Sequence, residues 1–471
     1  MVVSLNSSRL LLMFLIRHPS KRLTGVVFAS KQSIIVYLAV IALAAHATPL
    51  VGQEEIIYES ADPSLIIEYP EGIEGTVVVE EGNQFSDIID GNFIQLAPDY
   101  SREMLDFQNR QTNKEILLLE HALNSNGQTN MTLGAQFRAS SLYGKTNQAN
   151  KFPYLGRFPT DFEGNYASDL RMLQANLATS ASFGPRVHGY FETLFSDVFS
   201  FDNPKQGSFQ VRQAYVVIGD FSRSSWYGYI GKKNIGFGDM GTLNPFSQAI
   251  PWHYFGALGE GAGVGFDNGI LSATFAGISG GRGIRVVDSK ASGDVNNFAA
   301  NLLLRMPFAM RDGELKLGGG YIHGTIYDAD VPEHLDPTMF GDPNGAWDVN
   351  ARMRLNRLHL GVEYVRTVSA WPVTEHDVIA YSTEAAFDSC FMALPARWSL
   401  SWSEGIQGPS GSQFEFNRQL VFGYRVEPSR NSRISLEYVR STGFAPLIGL
   451  KSMSDRDVVQ NTIVFGLTFA L

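Results

Sequence analysis

A single cysteine, Cys390, stands in the 471 residues of this chain. One thiol excludes an internal disulfide framework and a cysteine-clustered zinc site. Charge is also scarce. Asp, Glu, Lys and Arg make up 18% of the residues, below the roughly 25% of ordinary soluble domains. The formal net charge of −10 offers no basic surface to nucleic acid. Long apolar runs are missing as well. Mean hydropathy is −0.06, which excludes a bundle of membrane-crossing helices, and beyond residue 47 no stretch approaches the length of a spanning helix. Catalytic signatures are absent: there is no H-E-x-x-H, no P-loop and no G-x-S-x-G. None of the nine histidines is paired by sequence with an evident serine nucleophile. The sequence therefore predicts no enzyme, no cofactor and no resident metal.

What is present begins with an address. Residues 1–32 carry Arg9, Arg17, Lys21, Arg22 and Lys31 and no acid, and an apolar run follows from Ile34 to Ala45. The run ends in Ala45-His46-Ala47, an A-x-A cleavage pattern. A basic region, a short apolar stretch and small residues at the cut describe a secretory signal over 1–47. A retained N-terminal anchor is the alternative. Residues 48–100 form a leader with twelve acids and no Lys or Arg. Residues 101–124 read as one helix, with Leu105, Ile116, Leu119 and Leu123 at helical spacing, and residues 125–130 complete a linker. The helix suits either a short oligomerising coiled coil or a single amphipathic helix packed on the rest of the chain.

From Met131 the period switches to two. Val459, Ile463, Phe465, Leu467, Phe469 and Leu471 share one face of the last segment, and Gln460, Thr462, Gly466 and Thr468 share the other. Such two-sided strands bury one face in something apolar and wet the other. Strands are expected near 131–142, 166–183, 187–198, 208–219, 226–238, 261–267, 270–280, 295–308, 314–327, 347–355, 357–369, 378–389, 398–406, 413–427, 432–442 and 457–471. Their connections alternate between tight turns, such as 184–186, 268–269 and 428–431, and longer loops, such as 143–165, 241–260 and 328–346. An even count with this asymmetry is what outer-membrane barrels show. The predicted fold class is all-β, a 16-stranded antiparallel transmembrane β-barrel over 131–471 behind a short acidic and helical periplasmic segment. Both termini fall on the short-turn, periplasmic side. A soluble sandwich or propeller needs no such loop alternation.

If alternation holds, the second face lines a lumen. Candidate pore-lining residues are Arg138, Arg212, Arg305, Lys316, Arg352, Arg354, His359, Glu363, Glu384, Glu415 and Glu437. Both signs occur, and no single-signed ring is visible. Sixteen strands leave room for water. The loop 241–260 is rich in aromatics and is expected either to fold inward as a constriction or to rest at the rim or at a subunit contact. Its candidates are Phe246, Trp252, His253, Tyr254, Phe255 and Glu260. In Gly259 to Gly265 a glycine recurs every second residue. That spacing predicts a bare strand face that another group approaches closely.

The stretch Tyr229-Ile230-Gly231-Lys232-Lys233-Asn234-Ile235-Gly236-Phe237-Gly238 resembles the G-(Q/K)-x-x-x-P-F-G strand of the phosphate-selective-porin-like superfamily. Over about residues 120–470 the plan of the chain is most similar to its siderophore-porin branch. Gly236 stands where that family has Pro, and Leu471 ends the chain where Phe is usual. The resemblance implies an outer-membrane porin for passive or facilitated passage of a small solute, a ferric siderophore or an anion. It implies structural roles for Gly231, Phe237 and Gly238. Outer-membrane lipid and the solute in transit are the expected partners, with a homotrimer as one assembly open to it. The competing reading is a non-transport adhesin or envelope scaffold. The 83 residues from 48 to 130 are too few and too acidic for the plug domain of a 22-strand energy-coupled transporter.

Overall fold

The computed structural model describes residues 94–109, 113–125, 128–151, 164–196, 208–280, 294–308, 312–328, 342–412, 414–443 and 457–471. The signal reading over 1–47 and the acidic leader up to residue 93 lie outside the described residues.

A three-residue strand, β1 (Ile94–Leu96), pairs in parallel with the start of β2. Sixteen longer strands follow among the described residues. They are β2 (Asn130–Thr146), β3 (Tyr166–Phe183), β4 (Val187–Ser196), β5 (Ser208–Gly219), β6 (Trp226–Asn234), β7 (Leu258–Asp267), β8 (Leu271–Ser279) and β9 (Asn297–Phe308), then β10 (Gly313–Ile322), β11 (Ala346–Leu355), β12 (Leu358–Thr367), β13 (Ile379–Phe391), β14 (Leu394–Ile406), β15 (Asn417–Ser429), β16 (Ser432–Gly443) and β17 (Val459–Ala470). Each pairs antiparallel with its sequence neighbour, and β17 returns to β2 through Phe469↔Phe137. The cylinder is closed. Closure leaves no open sheet edge, which is the condition for a sheet to sit in hydrocarbon.

Alternation separates two surfaces. On β5, Val217 is fully buried while Ile218 is 57% exposed, and on β6 buried Tyr229 is followed by Ile230 at 60%. The outward set is apolar, with Leu170, Phe191, Phe275, Leu302, Phe422 and Phe465 exposed around the wall. Two aromatic bands bound it. Trp226–Phe266, Trp398–Tyr424 and Phe391–Tyr424 pair near the tight turns, and Tyr143–Tyr166 and Trp347–Tyr364 pair near the long loops. Amphipathic rings at both rims of an apolar belt are the arrangement a bilayer interface favours.

The tight turns are tighter than expected in one place. The sequence suggests an eight-residue turn at 390–397, but β13 and β14 run on to a two-residue turn at Met392-Ala393, both at positive φ. Pro395 argues against strand in sequence. Here it sits at the strand's start, opposite Cys390. The glycines of β7 behave as their spacing predicts. Gly263 and Gly265 lie beneath the rings of Tyr229 and Tyr227, where any Cβ would collide.

The helical region departs from the single helix expected over 101–124. It forms α1 (Pro98–Met104), one 3-10 turn at Phe107–Asn109 and α2 (Lys114–Asn124). Asp106 causes the break. Its carboxylate accepts the backbone N–H of Gln108 at 3.1 Å and the Asn109 amide at 2.7 Å, a local turn that competes with helix. The apolar face of α2 is not left for a second copy. Ile116, Leu118 and Leu119 pack with Met104 and Leu105 against Tyr190, Tyr215, Val217, Tyr227 and Tyr229 on the inner wall. Residues 94–109 and 113–124 therefore occupy the short-turn half of the lumen.

Candidate functional site

The long loop between β6 and β7 folds into the barrel. Its inward run spans residues 235–257, wider at the start than the 241–260 read from sequence, and nearly every residue in it is buried. It opens with Ile235 and Phe237, both buried, and turns at Gly238 with φ +67. A Cβ at Gly238 would also press on the Asp348 carboxyl at 2.8 Å, so glycine is required there on two counts. This is the Gly-Phe-Gly end of the motif quoted above, and its role is to launch the loop.

The loop then follows the inner wall, and three wall carboxylates hold its backbone. Glu363 accepts the N–H groups of Asp239 and Met240 at 2.9 and 2.8 Å. Glu384 accepts the Leu243 N–H at 2.8 Å and the Thr242 hydroxyl at 2.5 Å. Glu437 accepts from Phe246 N, Ser247 N and Ser247 Oγ at 2.7, 3.0 and 2.5 Å. Arg352 closes an ion pair with Asp239 of the loop. Carboxylate bonds to backbone N–H are among the stronger hydrogen bonds. Wall glycines supply the space: side chains at Gly423, Gly466 and Gly405 would overlap Pro245, Phe246 and Tyr254. The loop returns through a one-turn helix, α3 (Ile250–Phe255). Trp252, Tyr254 and Phe255 there join Tyr327 and Trp371 in an apolar layer across the long-loop half of the lumen.

The loop and the 3-10 turn interlock around Arg138 of β2. Its guanidinium lies over the Phe107 ring at 4.0 Å and the Phe246 ring at 4.4 Å, contacts worth about 0.5–2 kcal/mol each. It donates to Phe246 O at 3.1 Å and to Gln108 Oε1 at 3.3 Å. Gln108 in turn donates to the carbonyls of Asn244 and Ser247 at 3.2 and 3.1 Å. Gln248 reaches the Phe107 carbonyl. At the start of α2 Glu115 forms a buried ion pair with Lys233 of β6. Tyr100 stacks on His121 with centroids 3.9 Å apart, and His121 Nε2 meets Thr132 Oγ1 at 2.9 Å. Burial lowers the pKa of this imidazole to about 4, so it is neutral at pH 7.

The sequence candidates thus fall into groups. Glu363, Glu384, Glu437, Arg352 and Arg138 are brought together by the loop, as tethers of it. Arg212 is buried behind Asn234 at 3.1 Å. Arg305, Lys316, Arg354 and His359 face the lumen toward the tight turns and meet acids there: Asp267 at 2.7 Å, Glu314 at 3.3 Å, Asp312 at 3.2 Å and Asp388 at 2.7 Å. Two candidates lie elsewhere. Glu415 precedes β15 and binds Ser410 Oγ and Gly411 N of its own loop. Glu260 projects from the outer face of β7, across from Lys232, because Gly261, Gly263 and Gly265 take the inner face. Among the constriction candidates, Phe246, Trp252, Tyr254 and Phe255 are buried, and His253 is half-buried with its ring edge-on to Trp252.

Register also reveals what spacing hid. Lumen cations stand opposite one another on neighbouring strands: Arg305↔Lys316, Lys316↔Arg352 and Arg397↔Arg425. At the β15–β16 turn a single Glu427 is shared by Arg433, Arg425 and Arg102 at 3.4, 3.5 and 3.8 Å. Glu427, Arg433 and Arg102 border a solvent-open cleft between α1 and the wall. Acids interleave this ladder, but arginine exceeds acid around Glu427. Asp239, Gln108, Glu115 and Lys233 were not candidates. Nothing local marks them, since each acts through a partner far away in sequence.

No protein-family profile and no curated protein matches this chain. Similar solved structures include OprB of Pseudomonas putida, with a TM-score of 0.49 and 10% identity over 74% of this chain and 96% of that one. The anion-selective porin of Comamonas acidovorans gives 0.48 and 10% over 73% and 100%. The outer-membrane channel DcaP of Acinetobacter baumannii gives 0.46 and 12% over 73% and 97%.

Proposed function

We propose that this chain is an outer-membrane channel for small solutes whose lumen is held shut, in the conformation described, by the 235–257 loop and the 94–124 segment. The observation that carries it is a wall with an apolar outer face and a charged inner face, crossed by a loop bound to inner-wall acids. A soluble barrel has no use for the exposed belt, and a solid one has no use for a lumen lined with ion pairs. The tight-turn end, with both ends of the barrel chain, faces the periplasm in this reading. Anions are the favoured solutes. The cation pairs on β9–β11 and β14–β15 and the arginine surplus around Glu427 support this, because a low-dielectric lumen focuses the field of its fixed charges. A ferric siderophore belongs to this charge class where its ligands are dianionic, as three catecholates on Fe3+ leave a net negative complex.

The closed lumen also favours the second reading, a barrel that does not transport. Planar-bilayer recording separates the two. Purified protein under a salt gradient is expected to show gated currents whose reversal potential lies on the anion side. A silent bilayer at every voltage would support the scaffold instead, and a cation-side potential would remove the anion preference.

A further inference from the structure

Cations on the outer face of a membrane barrel are costly where lipid tails surround them and useful only where an anion answers them. Three such residues, Arg418 of β15, Arg440 of β16 and Lys145 of β2, gather near the long-loop end. Arg440 of β16, Asn461 of β17 and Lys145 of β2 stand directly opposite one another in register. Adjacent strands are about 4.8 Å apart, so the two cations flank a gap of about 10 Å with Asn461 between them. Arg418 of β15 lies one residue pair farther toward the rim, beside Thr442.

We infer that this outer patch binds the phosphorylated headgroup of a lipid in the leaflet on the long-loop side. The outward positions of β15, β16, β17, β2 and β3 carry no acid. Among the described residues Arg440 has no ion-pair partner, and Lys145 meets a ring, that of Tyr166 at 5.2 Å, rather than a carboxylate. Arg418 is held by Glu404 at 2.8 Å and rests over Phe416 at 4.1 Å, which fixes its direction. Tyr438 donates to Asn461 Oδ1 at 2.7 Å, leaving the Asn461 amide N–H groups to donate to a phosphate oxygen. One step inward along the same strands the exposed side chains are Tyr438, Ile463 and Tyr143. A donor cluster above an apolar strip matches a phosphate above acyl chains. Free phosphate would use the donors and not the strip.

The inference rests on the outer-membrane reading, and its test separates the two. Full-length protein and the variants Lys145→Gln/Arg440→Gln and Arg366→Gln are first inserted into lipid vesicles. Failure of all three to insert overturns the membrane reading and this inference with it. Native mass spectrometry in detergent then measures retention of a phosphorylated glycolipid, of its dephosphorylated form, and of inorganic phosphate. Wild type and Arg366→Gln, whose cation on β12 is already paired with Asp377, are expected to hold the phosphorylated lipid about tenfold better than the dephosphorylated one. The double variant is expected to lose that difference. Equal retention by the double variant, equal retention of the two lipids, or displacement by millimolar phosphate would each overturn the inference.

Discussion

Excising residues 239–255 is expected to open the long-loop half of the lumen, leaving the helical segment docked in the short-turn half. Asn234 and Leu258 already face each other as a strand pair, so a short turn can join β6 to β7 without shifting register. The excised run supplies Phe246, Trp252, Tyr254 and Phe255, and the apolar layer across the long-loop half goes with it. Glu363, Glu384 and Glu437 lose their N–H donors and become hydrated wall charges. Single-channel conductance should rise severalfold in this variant and at least about tenfold once Glu115→Leu also undocks the helical segment, since an unobstructed barrel of sixteen strands holds an aqueous channel. A gentler variant guards against misfolding. Glu384→Leu with Glu437→Leu leaves the chain intact and unties the loop at two of its three carboxylate tethers. It should give longer or more frequent openings at unchanged maximal conductance. Wild-type-like currents in both variants, and in the excision combined with Glu115→Leu, would show that the loop does not obstruct the lumen.

The second large effect is expected at the Lys233–Glu115 pair. Both side chains are buried, and Lys233 also lies 4.5 Å from the Tyr229 ring. Glu115→Leu leaves an ammonium without its counter-charge among tyrosines, an error that costs about 3–5 kcal/mol when a buried pair is halved. The undocking of α2 relieves it by letting water reach Lys233. Protection of the 94–124 segment from trypsin should then fall by roughly two to three powers of ten, at about 1.4 kcal/mol per decade. Glu115→Leu combined with Lys233→Met removes both charges and should restore most of the protection, because an apolar replacement of a buried pair is often neutral. Equal cleavage of wild type and Glu115→Leu would mean that the pair does not hold the segment in the lumen.

The barrel was readable because its signal is local. Period-two patterning and turn chemistry act within about ten residues, and each of the sixteen strands falls where that pattern puts it, with shifts at the ends. The shifts have causes: Pro395 hides the start of β14, and the Asp106 side chain ends α1 where helical spacing continues. Charge roles were not readable. Glu363 and Glu384 alternate with apolar neighbours just as a solvated pore residue would, and only the folded loop distinguishes a tether from a lining group. Glu260 shows the same limit. One residue of register decides its face, and the glycines that set it also suit a loop. Alternation places Arg138 among the lumen cations, but the two rings that enclose it come from residues 107 and 246, which the chain brings together only on folding.

The central claim is that alternate residues of these strands meet lipid on one side and the chain's own interior on the other. Single probes placed in turn at residues 461–469 of β17, in protein inserted into vesicles with a quencher on the lipid tails, test it most directly. Quenching should peak at Ile463, Phe465, Leu467 and Phe469, and fall at Thr462, Val464, Gly466 and Thr468. The inner set should gain water accessibility once residues 239–255 are removed. Uniform quenching along the strand, or quenching strongest at the second set, would contradict the account.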